Sequence, residues 1–170
     1  TSAEDGSTAE IPELVIVNPV ARAEGGFTAD SMTFNNTRLI NQGEDAETVL
    51  VAEGSATGVI IASPAEIKAN PRFAPITSID LRNIAGQSET SEFPVNIGSL
   101  HVEFANVVDG QPSDMRMVME GIVLPIEDLD LEPELVGALS QMGYTEPFVV
   151  GFTLDGAYAE DADMLTVRSI

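Results

Sequence analysis

The sequence predicts a mainly β fold: an antiparallel meander, curved sheet or sandwich, with one short amphipathic helix at about 132–142. Three observations carry this. Short β-branched runs recur along the chain between Gly, Asn and Asp punctuation. Leu100-His101-Val102-Glu103-Phe104 alternates apolar and polar, the period of a strand with one buried face. Only one stretch, with Leu135, Val136, Leu139 and Met142 at i, i+1, i+4 and i+7, carries a helical stripe.

Residues 1–10 read as a disordered acidic segment, and 11–170 as a single β-rich domain. Leu14 to Val17 is an apolar run ended by Asn18-Pro19. Gly25-Gly26 opens a strand from Phe27 to Phe34, Asn35-Asn36 reads as a turn, and Arg38 to Ile40 continues as a strand. Gln42 to Asp45 is another turn. Thr48 to Val51 and Gly58 to Ile61 bracket Gly54-Ser55 and read as a hairpin. Ser63-Pro64-Ala65-Glu66 has the spacing of a capping box, with Pro71 and Pro75 ending that helix within one or two turns.

A strand follows over Ile76 to Ile84. Leu100 to Phe104 and Asp114 to Glu120 form a hairpin about the Asp109-Gly110 signal. Pro133 near its start and Gly143 just past its end bound the helix. Phe148 to Tyr158 and Met164 to Ile170 are the last strands, for about nine or ten in all. Val107 to Gly110 before Asp114-Met115 is echoed by Thr153 to Gly156 before Asp163-Met164.

Charge limits the partners. The chain has 28 acidic and 7 basic residues, a net charge of −21, and Lys68 is its only lysine. Nucleic acid and anionic membranes need clustered Lys or Arg, and the six arginines here are scattered. The hydrophobic fraction of 44% is that of a folded protein, so the acid belongs on the surface of a globule. With no Cys there is no disulfide, Cys-ligated zinc or thiol catalysis. No transmembrane helix is expected, because no run of about 18 apolar residues exists.

Catalytic motifs are missing too. His101 is the only histidine and sits on the polar side of its strand. Gly54 to Gly58 carries Ala where a nucleophile elbow needs Ser, and no phosphate-cradling glycine loop is present. Two acidic clusters remain, Glu127 to Glu134 and Asp155 to Asp163. In the second, Asp155, Glu160, Asp161 and Asp163 are candidate Ca²⁺ ligands, since Ca²⁺ favours oxygen-rich loops, although the spacing is not that of an EF-hand. Without Ca²⁺, no cofactor is expected. Met115, Met117 and Met119 share one strand face, and with Leu135, Leu139 and Met142 of the helix they are the candidate contacts for a ligand or partner.

From Leu100-His101-Val102-Glu103, through Gly121-Ile122-Val123-Leu124-Pro125 and the helix ending Gln141-Met142-Gly143-Tyr144, to Phe152-Thr153-Leu154 and Leu165-Thr166-Val167, the chain resembles uncharacterised exported envelope proteins of Gram-negative, especially alphaproteobacterial, bacteria. It is loosely similar to the β-meanders of the AsmA-like group. The resemblance implies a non-enzymatic periplasmic or extracellular protein, whose sheet binds an apolar ligand such as a lipid, or a protein partner. A Ca²⁺-stabilised surface-layer module and a carboxylate-based hydrolase are the alternatives.

Overall fold

A computed structural model describes residues 8–41, 47–69, 76–88, 95–108, 111–124, 132–144, 147–159 and 164–169. In chain order the elements are β1 (Thr8–Glu10), β2 (Glu13–Val17), β3 (Val20–Ala21), β4 (Phe27–Asn41), β5 (Glu47–Ile61), α1 (Pro64–Ala69), β6 (Ser78–Ser88), β7 (Val95–Val108), β8 (Gln111–Leu124), α2 (Pro133–Gln141), β9 (Phe148–Ala159) and β10 (Met164–Ser169). All ten strands belong to one open antiparallel sheet. From β4 to β10 each strand pairs with the next in sequence, and β1, β2 and β3 line up end to end along the outer side of β4. The mainly β meander is therefore the observed fold.

Several expected turns lie inside strands. Asn35-Asn36 falls within β4, and Gly54-Ser55 within β5, so each predicted pair of short strands is one long strand. Gly54 serves packing: the Phe34 ring lies where its Cβ would stand. Asp155-Gly156 lies within β9, so the echo of Asp109-Gly110 is not a structural repeat. Asp109-Gly110 itself is outside the described residues, as is Gln42 to Asp45, but the flanking pairs Val108↔Gln111 and Asn41↔Glu47 close both hairpins. Thr8–Glu10 pair with β4, which shortens the expected disordered lead-in; residues 1–7 lie outside the described set.

A line of unusual backbone crosses the sheet. The row Asn35↔Glu53↔Arg82↔Ser99↔Glu120 is in register from β4 to β8. The residues immediately beside it are Asn36, Ala52, Asn83, Gly98 and Gly121, and none of them makes a regular ladder pair. Every second strand takes a left-handed residue there: Asn36 at φ 52, Asn83 at φ 51 and Gly121 at φ 69. Asn and Gly are the residues that tolerate this region.

The line shifts the pleat. In β5 the buried positions are Val51, Gly54, Ala56 and Val59, steps of three, two and three instead of a constant two. The second long step crosses Gly58, also left-handed at φ 56. The apolar pattern takes the same three-residue step at Leu81 to Ile84, Ile97 to Leu100 and Met119 to Ile122. At the last of these the β8–β9 register slips as well. Gly98 and Gly121 meet backbone to backbone: a Cβ on Gly121 would stand 3.1 Å from the Gly98 Cα.

The helices end as the sequence specifies. At α1, Ser63 and Glu66 form the capping box, with the Ser63 N–H donating to Glu66 Oε2 at 2.9 Å. Arg22 grips the same carboxylate with two hydrogen bonds, of 2.7 and 3.0 Å, tying α1 to the connection before β4. These bonds, Arg22 first and the Ser63 N–H next, hold the Glu66 carboxyl below the usual carboxylate range. At α2, Gly143 at φ 88 donates to the Ser140 carbonyl and Tyr144 to that of Leu139, a Schellman ending.

Two predictions follow from these contacts. Gly121→Ala destabilises by about 1–3 kcal/mol, because the side chain is strained at positive φ and presses on Gly98. Gly137→Ala, in α2 with open space around it, stabilises by up to about 1 kcal/mol; denaturant melts of the two variants measure the contrast. Because the folded-state pKa of Glu66 is lowered, its contribution is complete above its unfolded-chain pKa and lost as pH falls through the lowered value. The difference in Tm between the wild-type protein and Glu66→Gln therefore shrinks on acidification; a constant difference contradicts the assignment.

Candidate binding face

Residues opposite one another in neighbouring strands share a face, so the registers sort the sheet into rows. One row reads Ile16, Met32, Ala56, Ile79, Val102, Met117, Leu154. Two residues along, the next reads Leu14, Phe34, Gly54, Leu81, Leu100, Met119, Phe152. Beyond the line of left-handed residues come Thr37, Val51, Ile84 and Ile97. None of these residues is charged.

Between the apolar rows lie the rows of the other face. One is Ser31, Thr57, Ser78, Glu103, Arg116, Asp155, and another is Thr33, Ser55, Asp80, His101, Val118, Thr153. Neighbours there pair across strands. His101 Nδ1 lies 2.8 Å from Asp80 Oδ1, Thr57 and Ser78 share a hydroxyl–hydroxyl bond of 2.7 Å, and Arg116 Nε is 3.9 Å from Asp155 Oδ1. The lone histidine is thus a cross-strand partner on a polar surface.

The apolar face is unevenly covered: Val51, Ala56, Ile84 and Val102 are buried in it, Phe34, Leu81, Leu100, Met117 and Met119 are half-buried, and Leu14 and Phe152 are exposed. Among the described residues, the extensive contacts between elements all join strands that neighbour each other in the sheet. The buried apolar residues are few and mostly small: Ala29, Val51, Ala56, Val59, Ile84 and Val102. Leu14 and Phe152 remain 44% and 36% exposed on a face that in a two-layer protein would be covered.

The predicted site residues separate into three groups. Met115, Met117 and Met119 stand half-buried on the apolar face, opposite Phe104, Val102 and Leu100 on one side and Gly156, Leu154 and Phe152 on the other. Leu135 and Leu139 belong to α2, none of whose residues is buried, and Met142 is its C-cap; Leu135 and Met142 are 47% and 63% exposed. Asp155 sits in β9 beside Arg116, while Glu160, Asp161 and Asp163 lie outside the described residues. Among the described residues no group of acidic or His side chains is arranged to hold a metal, and no helix is long and apolar enough to cross a membrane. A depression of about 530 Å³ at Glu103, Met115, Arg116 and Asp155 places a guanidinium between two carboxylates in register.

Sequence reasoning missed most of the face. Phe34, Leu81, Leu100 and Phe152 complete the row of Met119, and only the cross-strand register gathers them.

The face's neutrality leaves the net charge of −21 to the polar side, the loops and the ends. Their mutual repulsion opposes the fold, and salt relieves it by shortening the screening length from about 8 Å at 0.15 M to about 3 Å at 1 M. Raising NaCl to about 1 M should lift the Tm by about 3 °C or more, the equivalent of about 1 kcal/mol; a melting point indifferent to salt overturns this.

Comparisons with protein-family models, with curated proteins and with solved structures find no match for this chain.

Proposed function

We propose that this chain is a non-enzymatic, exported protein that acts by binding, and that the apolar face of its sheet is the surface it binds with. One observation supports this reading above others: the face bearing Phe34, Leu81, Leu100, Met117, Met119 and Phe152 is uncharged and only half-buried, and among the described residues its strands make extensive contacts only with their neighbours in the sheet. A sheet face of this kind loses roughly 25 cal/mol of stabilisation for each Å² left in water. Contiguous exposed apolar surface on a folded protein marks a site of interaction.

The chemistry of the face limits what it takes. It offers no charge and few hydrogen-bonding groups, so it suits apolar surface and not a polar metabolite. The three methionines bring flexible, polarisable side chains that adapt to varied apolar shapes. Placement in the periplasm or at the cell surface belongs to the same proposal and rests on the resemblance of the stretch from Leu100 onward to envelope proteins.

Titration with a neutral fluorescent acyl probe, beside native mass spectrometry of protein taken from its source, tests this. Bound probe or a bound partner chain is expected, and Phe152→Ser, at a position 36% exposed, is expected to weaken the binding several-fold, with circular dichroism to show that the sheet persists. Protein that is monomeric, arrives bare and takes up no probe removes the proposal.

A further inference from the structure

Resting on that reading, we infer that the occupant of the apolar face is the same face of a second copy of this chain, so that two single sheets close into one two-sheet sandwich. Area argues first. The six strands β4 to β9 are 11 to 15 residues long. At about 4.8 Å between strands and 3.3 Å per residue, they span a face of about 1,000 Å². A stable interface takes about 800 Å² from each partner. An acyl chain of about sixteen carbons has only about 500 Å² of surface in total, and buried completely it leaves half the face wet. A second sheet covers it all.

Shape agrees. Two sheets pack face to face about 10 Å apart when side chains on their inner faces interdigitate. The rows here alternate bulk with hollows: Phe34 stands over Gly54, and Met115 lies opposite Gly156. A two-fold pairing sets the same patch against itself, which a charge-free patch permits.

Electrostatics decides which face can pair. Two copies double a net charge of −21, and the polar face carries Glu53, Asp80, Glu103, Glu120 and Asp155 in three rows, against Arg82 and Arg116 in the same rows. Brought together, two such faces would repel. With the apolar faces inward, the two polar faces lie about 20 Å apart across both layers, well beyond the screening length of about 8 Å at physiological salt. Pairing should tighten with NaCl, which screens what remains of the repulsion between two copies of net charge −21.

Sedimentation equilibrium of the wild-type chain, Phe152→Asp and Thr153→Asp tests this; the two positions are adjacent in β9 and on opposite faces. The wild-type chain is expected at twice 18.0 kDa in the micromolar range, and more so at high salt. Phe152→Asp buries two carboxylates in the interface and should raise the dissociation constant about 100-fold or more, while Thr153→Asp leaves it unchanged. Circular dichroism on both variants confirms that the sheet persists. A wild-type monomer at about 100 μM, or a dimer untouched by Phe152→Asp, overturns the inference. A monomer that still binds the acyl probe sinks the second copy but not the binding face, and a monomer that binds no probe sinks both.

Discussion

Keeping the apolar side chains on one side of a single sheet is the constraint from which the rest of this structure follows. Strands of up to 15 residues twist, and a strict two-residue alternation does not hold one face over that length here. The chain answers with a line of unpaired residues, Asn36, Ala52, Asn83, Gly98 and Gly121, which crosses five strands beside one continuous row and is left-handed in every second strand. Each strand steps by three as it crosses the line. Val51, Ile84 and Ile97 thereby stay with Phe34, Leu81 and Leu100, where unbroken alternation would have turned them to the polar side. Three of the line's residues sit at positive φ, a conformation that costs a side-chain-bearing residue of order 1 kcal/mol. Asn and Gly lower that cost, which is why those types stand there.

A single layer has less to hold it than a sandwich. Its buried apolar residues are few, and three of them, Ala29, Ala56 and Val59, form one small cluster under Ile16, Phe27, Met32 and Ile76. The long antiparallel ladders satisfy the backbone, and cross-strand pairs such as Asp80–His101 and Thr57–Ser78 order the polar face. The Arg22–Glu66 clamp fastens a short helix to the chain entering β4. These contacts arrange the sheet but leave much of its apolar side only half-buried. The proposals on binding and on pairing both begin from that side: charge cannot account for it, and burial of apolar surface can.

Much of the fold was legible from residue types. Ser63 with Glu66, Pro133 with Gly143, and Leu100 to Phe104 are local patterns whose physics acts within a few residues, and each forms the element it predicts. Asn35-Asn36 and Gly54-Ser55 misled for a physical reason. A left-handed Asn and a side-chain-free Gly are what a turn needs, but they are also what a pleat shift or an overlying Phe ring needs. Local sequence does not distinguish these uses; the pairing partner does. The Met stripe was visible by its spacing, yet only as three residues, because its neighbours come from strands tens of residues away.

By itself the sequence determined the class of the protein: β-rich, strongly acidic, without cysteine and with one helical apolar stripe. Those properties depend on composition and on period, which are read along one chain. Tertiary structure decided that the strands form one open sheet and not two, that the left-handed residues align, and that apolar rows scattered over some 140 residues, from Leu14 to Phe152, become one uncharged face. Register is the reason. It is set by where hairpins close, and it assigns each side chain its neighbours, which no single strand specifies.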